Sequence, residues 1–258
     1  MDNIILIGTL ASLAAGLTTG VGALPVLFGQ RPSQRSNDTM LGFAAGVMLS
    51  ASFFSLILPG IDYGTDIYGS VSAAAGLSGV GIALGAWLVA WLNRVLPHEH
   101  FVVGPEGADP GALPKVWLFV LAITIHNFPE GMAVGIGFGG GDMANGLTLA
   151  TGIALQNAPE GLAVAVALLG QGYGRGRAFL LALLTGLVEP VGGALGVSLV
   201  HVSVYVLPLG LSFAAGAMVY IISHEIIPET HRNGHQDEAT RGLLAGLILM
   251  MLLDVILG

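Results

Sequence analysis

Two short stretches hold most of the residues in this chain that could do chemistry: HNFPEG at 126–131 and QNAPEG at 156–161. Each sets a glutamate, an amide and a proline inside a long apolar run, and Glu189 follows in a similar setting. At about 100° per residue, His126 and Glu130 lie roughly 40° apart on one helix face, with Asn127 about 60° from Glu130. Gln156, Asn157 and Glu160 repeat that arrangement. Pro129 and Pro159 have no amide hydrogen, so the carbonyls of Ile125 and Leu155 are freed, and Pro190 frees that of Gly186 beside Glu189. An acid at the centre of a membrane helix costs on the order of 3 kcal/mol, and such acids generally mark ion routes. No basic residue lies at their depth. Either the glutamates are protonated and bonded between helices, or a cation answers them, and the second reading is favoured. Imidazole with carboxylate suits zinc, and imidazole serves iron and nickel as well. Calcium or magnesium would take oxygen ligands alone.

The elements that must position these residues are membrane spans. Of 258 residues 54% are hydrophobic and only 9% charged, and mean hydropathy is +0.82, the balance of an integral membrane protein. There is no cysteine, which excludes disulfides and thiolate metal sites. A net charge of −8 without a long basic run speaks against nucleic acid. The first apolar stretch lacks a basic region before it and reads as a span, not a signal peptide. Eight runs are long enough: 4–28, 39–60, 70–96, 115–139, 144–169, 178–200, 203–227 and 240–257. Turn formers separate them, among them GIDYGTD at 60–66 and ETHRNGHQDE at 229–238. The loops leave no room for a soluble unit, so residues 1–258 read as a single transmembrane domain.

All eight basic residues, Arg31, Arg35, Arg94, Lys115, Arg175, Arg177, Arg232 and Arg241, fall on one side of such an arrangement. The opposite loops carry only Asp62, Asp66 and Asp142. The excess of Lys and Arg assigns the first side to the cytoplasm and both termini to the outside. Counting from the turns gives depth. The midpoints of 126 with 160 and of 130 with 156 both fall at 143, beside the turn between the fourth and fifth spans, so His126 should face Glu160 and Glu130 should face Gln156. Glu160, Glu189 and Met48 share a level when counted from the cytoplasmic turns. An imidazole, amides, three carboxylates and a thioether can thus converge near the bilayer centre. Glycines four apart, such as Gly42 with Gly46 and Gly81 with Gly85, read as close helix crossings.

At these residues the chain resembles the ZIP (Zrt/Irt-like) family of divalent metal transporters, prokaryotic type. The resemblance covers essentially the whole chain, and its specific part is the pair of NxPEG motifs in consecutive spans. Pro105-Glu106-Gly107 lies in a loop and does not count toward it. The resemblance implies an all-α integral membrane fold of eight transmembrane helices, a 3+2+3 bundle with an inverted repeat, in which one bundle slides against the other. It implies uptake of metal into the cytoplasm: zinc first, with cadmium, iron or manganese as further substrates. The family's ligands carry over onto His126, Asn127, Glu130, Gln156 and Glu160, with Asn157, Met48 and Glu189 as matching contributors. Family members often have histidine where this chain has Gln156. A binuclear site is expected, with Met48 and His126 on one ion and Glu189 with Asn127 or Asn157 on the other. The expected partners are metal ions and membrane lipid, with a homodimer open to it, in a bacterial inner membrane.

His98, His100, His224 and Glu225 cluster near the cytoplasmic end and are candidates for an exit relay. His231 and His235 read as solvated loop residues, and His201 and Asp254 receive no role. Trp117 and Tyr68 read as interfacial anchors. A cation/calcium exchanger and an intramembrane metalloenzyme are the alternatives. The first fits poorly with His126 and Met48, and the second lacks HExxH or a separate general base. On this topology, cysteine introduced at Ser36 or Gly174 should resist impermeant thiol reagents in intact cells, and cysteine at Thr65 should react. The reverse labelling pattern would overturn the orientation.

Overall fold

The computed structural model describes residues 2–30, 32–96, 98–100, 104–106 and 115–257. Among them are eight long helical rods: α1 (Asp2–Leu27), α2 (Gln34–Tyr68), α3 (Val71–Val95), α4 (Lys115–Gly139), α5 (Met143–Gly170), α6 (Arg175–Val202), α7 (Val204–His231) and α8 (Gln236–Leu257). Seven are long and apolar enough to cross a membrane. The other, α4, carries the first motif on 25 continuous helical residues. A small antiparallel ribbon joins α3 to α4, with His98 opposite Glu106 and His100 opposite Gly104, a local exception to the all-helical expectation. The side chains of His98 and His100 lie outside the described residues.

The rods start and stop for local reasons. Ser33 and Ser70 cap α2 and α3 by accepting from the amides of Ser36 and Ala73. Asp142 caps α5 by accepting from the amides of Ala144 and Asn145, 3.0 Å each. Gly141, at φ 82°, supplies the left-handed residue that the tight α4–α5 turn requires. The expected break at 60–66 is instead helical, and α2 ends only at Gly69. Gly60 and Gly64 act as contact surface there, not as turn residues: they lie against α7 and, for Gly64, against Ala74 of α3. The loop expected at 229–238 likewise shrinks, because α7 continues to His231 and α8 begins at Gln236.

Three rods are irregular. α2 widens into a π-helical segment over Ser52–Ile57 and α7 over Ile222–Ile226. Such segments insert one residue into a turn and recur at functional sites. α6 breaks at Leu187–Val188, so that Glu189 opens a second helical half, Glu189–Val202.

Packing sorts the rods into two blocks. α1, α4, α5 and α6 pack on one another, with α1 against α5 and α4 against the second half of α6 as the closest pairs. α2, α3, α7 and α8 form the other block, with α2 against α8 and α3 against α7. Within each block the contact is backbone on backbone. A Cβ at Gly22 would overlap the carbonyl of Ala158, one at Gly131 that of Glu189, one at Gly46 that of Leu243 and one at Gly85 that of Phe213. Between the blocks the contact is made by side chains: Val47, Ile136, Leu149, Ile153 and Met250 belong to one buried apolar cluster that spans both. At the start of α2 a fully buried carboxylate, Asp38, accepts from Gln34 Nε2 at 2.8 Å and meets His235 Nδ1 at 2.8 Å. His235 is therefore not a solvated loop residue. It ties the α7–α8 connection to α2, a long-range pairing that local reading of the loop cannot see.

The glycine contacts set a stability prediction. Gly85→Val forces a side chain into the α7 backbone and should destabilise the folded protein by about 1–3 kcal/mol or more. Gly76→Ala, in the same helix with nothing within 4 Å of the new methyl, should be neutral or stabilising by up to about 1 kcal/mol. Thermal melting in detergent checks both.

Candidate metal centre

The residues singled out in the sequence come together where α4, α5 and α6 meet. Continuous helix through Pro129 and Pro159 keeps each motif in register. The α4–α5 hairpin pairs levels as counted from its turn: Gln156 Nε2 donates to Glu130 Oε1 at 2.8 Å. Asn157 Nδ2 donates to Glu189 Oε1 at 2.7 Å and to the carbonyl of Ala15 on α1 at 2.9 Å. The α6 break makes the second bond available, because it starts a fresh helix at Glu189 beside α5. Thr18 of α1 donates to the carbonyl of Ala154 at 2.8 Å, one residue from the carbonyl that Pro159 releases.

One feature unites these side chains. The amides of Gln156 and Asn157 donate to carboxylate or carbonyl oxygens and leave their own oxygens behind. Asn127 Oδ1, Glu130 Oε2, Gln156 Oε1, Asn157 Oδ1, Glu160 Oε1 and Glu189 Oε2 are all buried without a hydrogen-bond partner. Glu130, Gln156 and Glu189 are fully buried, and Glu160 is half-buried with that one oxygen covered. The three carboxylates are near enough to act on one another electrostatically. A buried polar atom left unpaired costs about 1–3 kcal/mol, and native interiors hold few. Bare acceptors gathered in this way are satisfied either by a proton on one of the carboxyl groups or by a cation.

His126 departs from the expected facing. Its Nε2 meets Glu225 Oε2, and not Glu160. Glu225 belongs to the π segment of α7, and the extra residue there turns a side chain inward that a regular helix would aim elsewhere. Glu225 is 7% exposed and accepts from Asn93 Nδ2 of α3 at 3.2 Å. It thus adjoins the first motif through His126. His224 is half-buried with its ring 5.1 Å from that of Tyr220. Met48 is fully buried in the apolar cluster between the blocks. Among the described residues no three His, Asp or Glu side chains by themselves form a group suited to hold an ion. Amides alternate with the carboxylates, and the imidazole reaches across to the other block.

Two polar residues stand out that sequence reading passed over or set aside. Asn93 is one; its place in a stripe of small buried residues on α3 was the available signal. Asp254 is the other, accepting a hydrogen bond from Ser55 in the π segment of α2. At the far end, Tyr63 of α2 donates to Asp142 Oδ2 at 3.1 Å.

Residues 109–254 match the family model described as ZIP Zinc transporter. The chain is 49% identical to Zinc transporter ZIPB of Bordetella bronchiseptica, over 95% of this chain and 80% of that one. It is 45% identical to Zinc transporter GufA of Myxococcus xanthus, over 97% and 99%. It is 34% identical to Zinc transporter ZIP11 of Homo sapiens, over 94% of each.

If the donorless oxygens receive a cation, Cd²⁺ or Zn²⁺ should raise the melting temperature of the purified protein. Saturation to about 100 times Kd corresponds to about 2.7 kcal/mol. Glu130→Ala and Glu189→Ala should each lose most of that shift. Variants that melt cooperatively and keep the full shift would place the ion elsewhere.

Proposed function

The chain belongs to the ZIP zinc transporter family, and from that premise we propose that it carries divalent transition-metal ions, zinc first, across the membrane into the cytoplasm. The observation that carries this reading is the set of six buried, donorless oxygens gathered around Glu130, Glu160 and Glu189. The names of the similar proteins agree with it, each being a zinc transporter. Cadmium, iron and manganese share enough of zinc's ligand chemistry to be substrates of the same site.

The ion is held by Glu130, Glu160 and Glu189 with the carbonyl oxygens of Asn127, Gln156 and Asn157, and by His126 when its ring turns from Glu225. Two ions fit the ligand supply. Glu189 with Asn157 serves one, and His126, with Met48 as a soft donor, serves the other, while Glu130 and Glu160 stand between them. Glu225 and His224, with His98 and His100, form the path toward the cytoplasm.

All eight rods span the bilayer, with both termini outside, as a 3+2+3 bundle with an inverted repeat over residues 1–258. Reciprocal packing supports this. α2 meets α8 as α7 meets α3, and α1 meets α5 as α6 meets α4, which is the pattern an inverted repeat produces. The paired π segments, one in α2 and one in α7, fall in matching rods. The block of α1, α4, α5 and α6 carries the central ligands and slides against the other, a movement favoured by glycine-locked interiors and a seam of side chains. The protein resides in a bacterial inner membrane.

Purified protein in liposomes should accumulate Zn²⁺ or Cd²⁺ down a gradient, and His126→Ala or Glu130→Ala should remove most of the uptake. Uptake unchanged in folded variants would sink this reading.

A further inference from the structure

Asn93 sits at the last turn of α3 and is 3% exposed. The buried residues of that rod are Ala74, Ser78, Gly81, Gly85, Val89 and Asn93, a single stripe at helical spacing. Gly81 and Gly85 let the α7 backbone approach to contact, so the two rods are locked along this stripe. Asn93 therefore faces α7 at a fixed height, where the π segment presents Glu225. Its Nδ2 donates to Glu225 Oε1 at 3.2 Å, while Glu225 Oε2 meets His126. The hydrogen bond thus engages one carboxylate oxygen while the other faces the imidazole. The amide's other atom, Oδ1, is buried with no partner. It adds a further acceptor beside the carboxylate, as a place that receives a cation would have.

We propose that Asn93 is a positioning residue for the release of the ion from the centre: it holds Glu225 so that Oε2 takes over from His126. The inference rests on the transport reading given above. Asn93 and Glu225 belong to the glycine-locked α2, α3, α7, α8 block, and His126 to the other. The carboxylate must therefore meet a partner that arrives from the opposite block, and it can do so quickly only if its orientation is already set. A hydrogen bond that orients a ligating carboxylate acts in this way, and its loss commonly lowers activity tenfold or more. An amide suits the position because it orients Glu225 without adding a second negative charge that would retain the ion.

The test is Cd²⁺ uptake into liposomes, per unit of folded protein, together with the metal-induced melting shift. Asn93→Ala should lower the maximal rate by about tenfold with KM changed less than twofold, and should leave the melting shift intact. Because Asn93 acts through Glu225, the Asn93→Ala/Glu225→Gln double variant should be no slower than Glu225→Gln alone. If Asn93→Ala does not fold, Asn93→Ser takes its place in the same cycle. A wild-type rate in the single variant, or independent losses that add in the double, would overturn the positioning role. Wild-type protein that takes up no metal would instead overturn the transport reading beneath it.

Discussion

A carboxylate drawn into the middle of a helix bundle must be answered by something, and here the protein answers only half of each. Glu130 and Glu189 each receive one amide donor, from Gln156 and Asn157, and keep a second oxygen bare. The amides in turn leave their own oxygens bare. The arrangement is held together by hydrogen bonds yet ends in a surplus of lone pairs. The rest of the molecule serves that surplus. The broken α6 delivers Glu189, Thr18 of α1 reaches the backbone of α5 at Ala154, and close glycine crossings bring α1, α4, α5 and α6 near enough for short side chains to meet.

The same constraint explains why the locks lie where they do. Within each block the crossings are set by backbone atoms, which have one relative position at which they fit. Across the seam two polar links join the blocks among the described residues: His126 with Glu225, both buried, and, at the opposite end, Tyr63 with Asp142; Thr18 and Asn157, by contrast, close bonds inside one block. On the proposed transport reading, links of the first kind are exchanged for an ion or for water, and links of the second kind hold a ligand in place while the exchange happens.

Much of this is written locally in the chain. The rods follow from apolar runs broken by turn formers. The pairing of Glu130 with Gln156 follows from counting outward from position 143 beside the turn, because a hairpin of two straight helices preserves level. What escaped local reading has a common cause. The π segments add a residue and shift the phase of everything after them, so Glu225 could be placed near an exit but not turned toward His126. The break before Glu189 shifts phase in the same way. Gly60 and Gly64 look like a loop until the neighbouring helix that needs them is known. Asp38 with His235, and Ser55 with Asp254, join residues nearly 200 positions apart, and nothing in either neighbourhood announces the other.

The seam between the blocks also has a texture. Met48, Met132, Met218 and Met250 all lie in the buried cluster that spans it, and the sulfur of Met250 rests where a side chain on Gly152 would be. Thioether chains are unbranched, polarisable and turn about three bonds with little preference. On the proposed sliding of the blocks, a surface lined with them would keep contact at more than one offset, since each chain refills the gap its neighbour leaves. Branched side chains such as Ile153 mark where it would catch. The resistance to sliding is then a property of side-chain rotation, and friction, not binding, becomes a quantity the sequence can tune one methionine at a time.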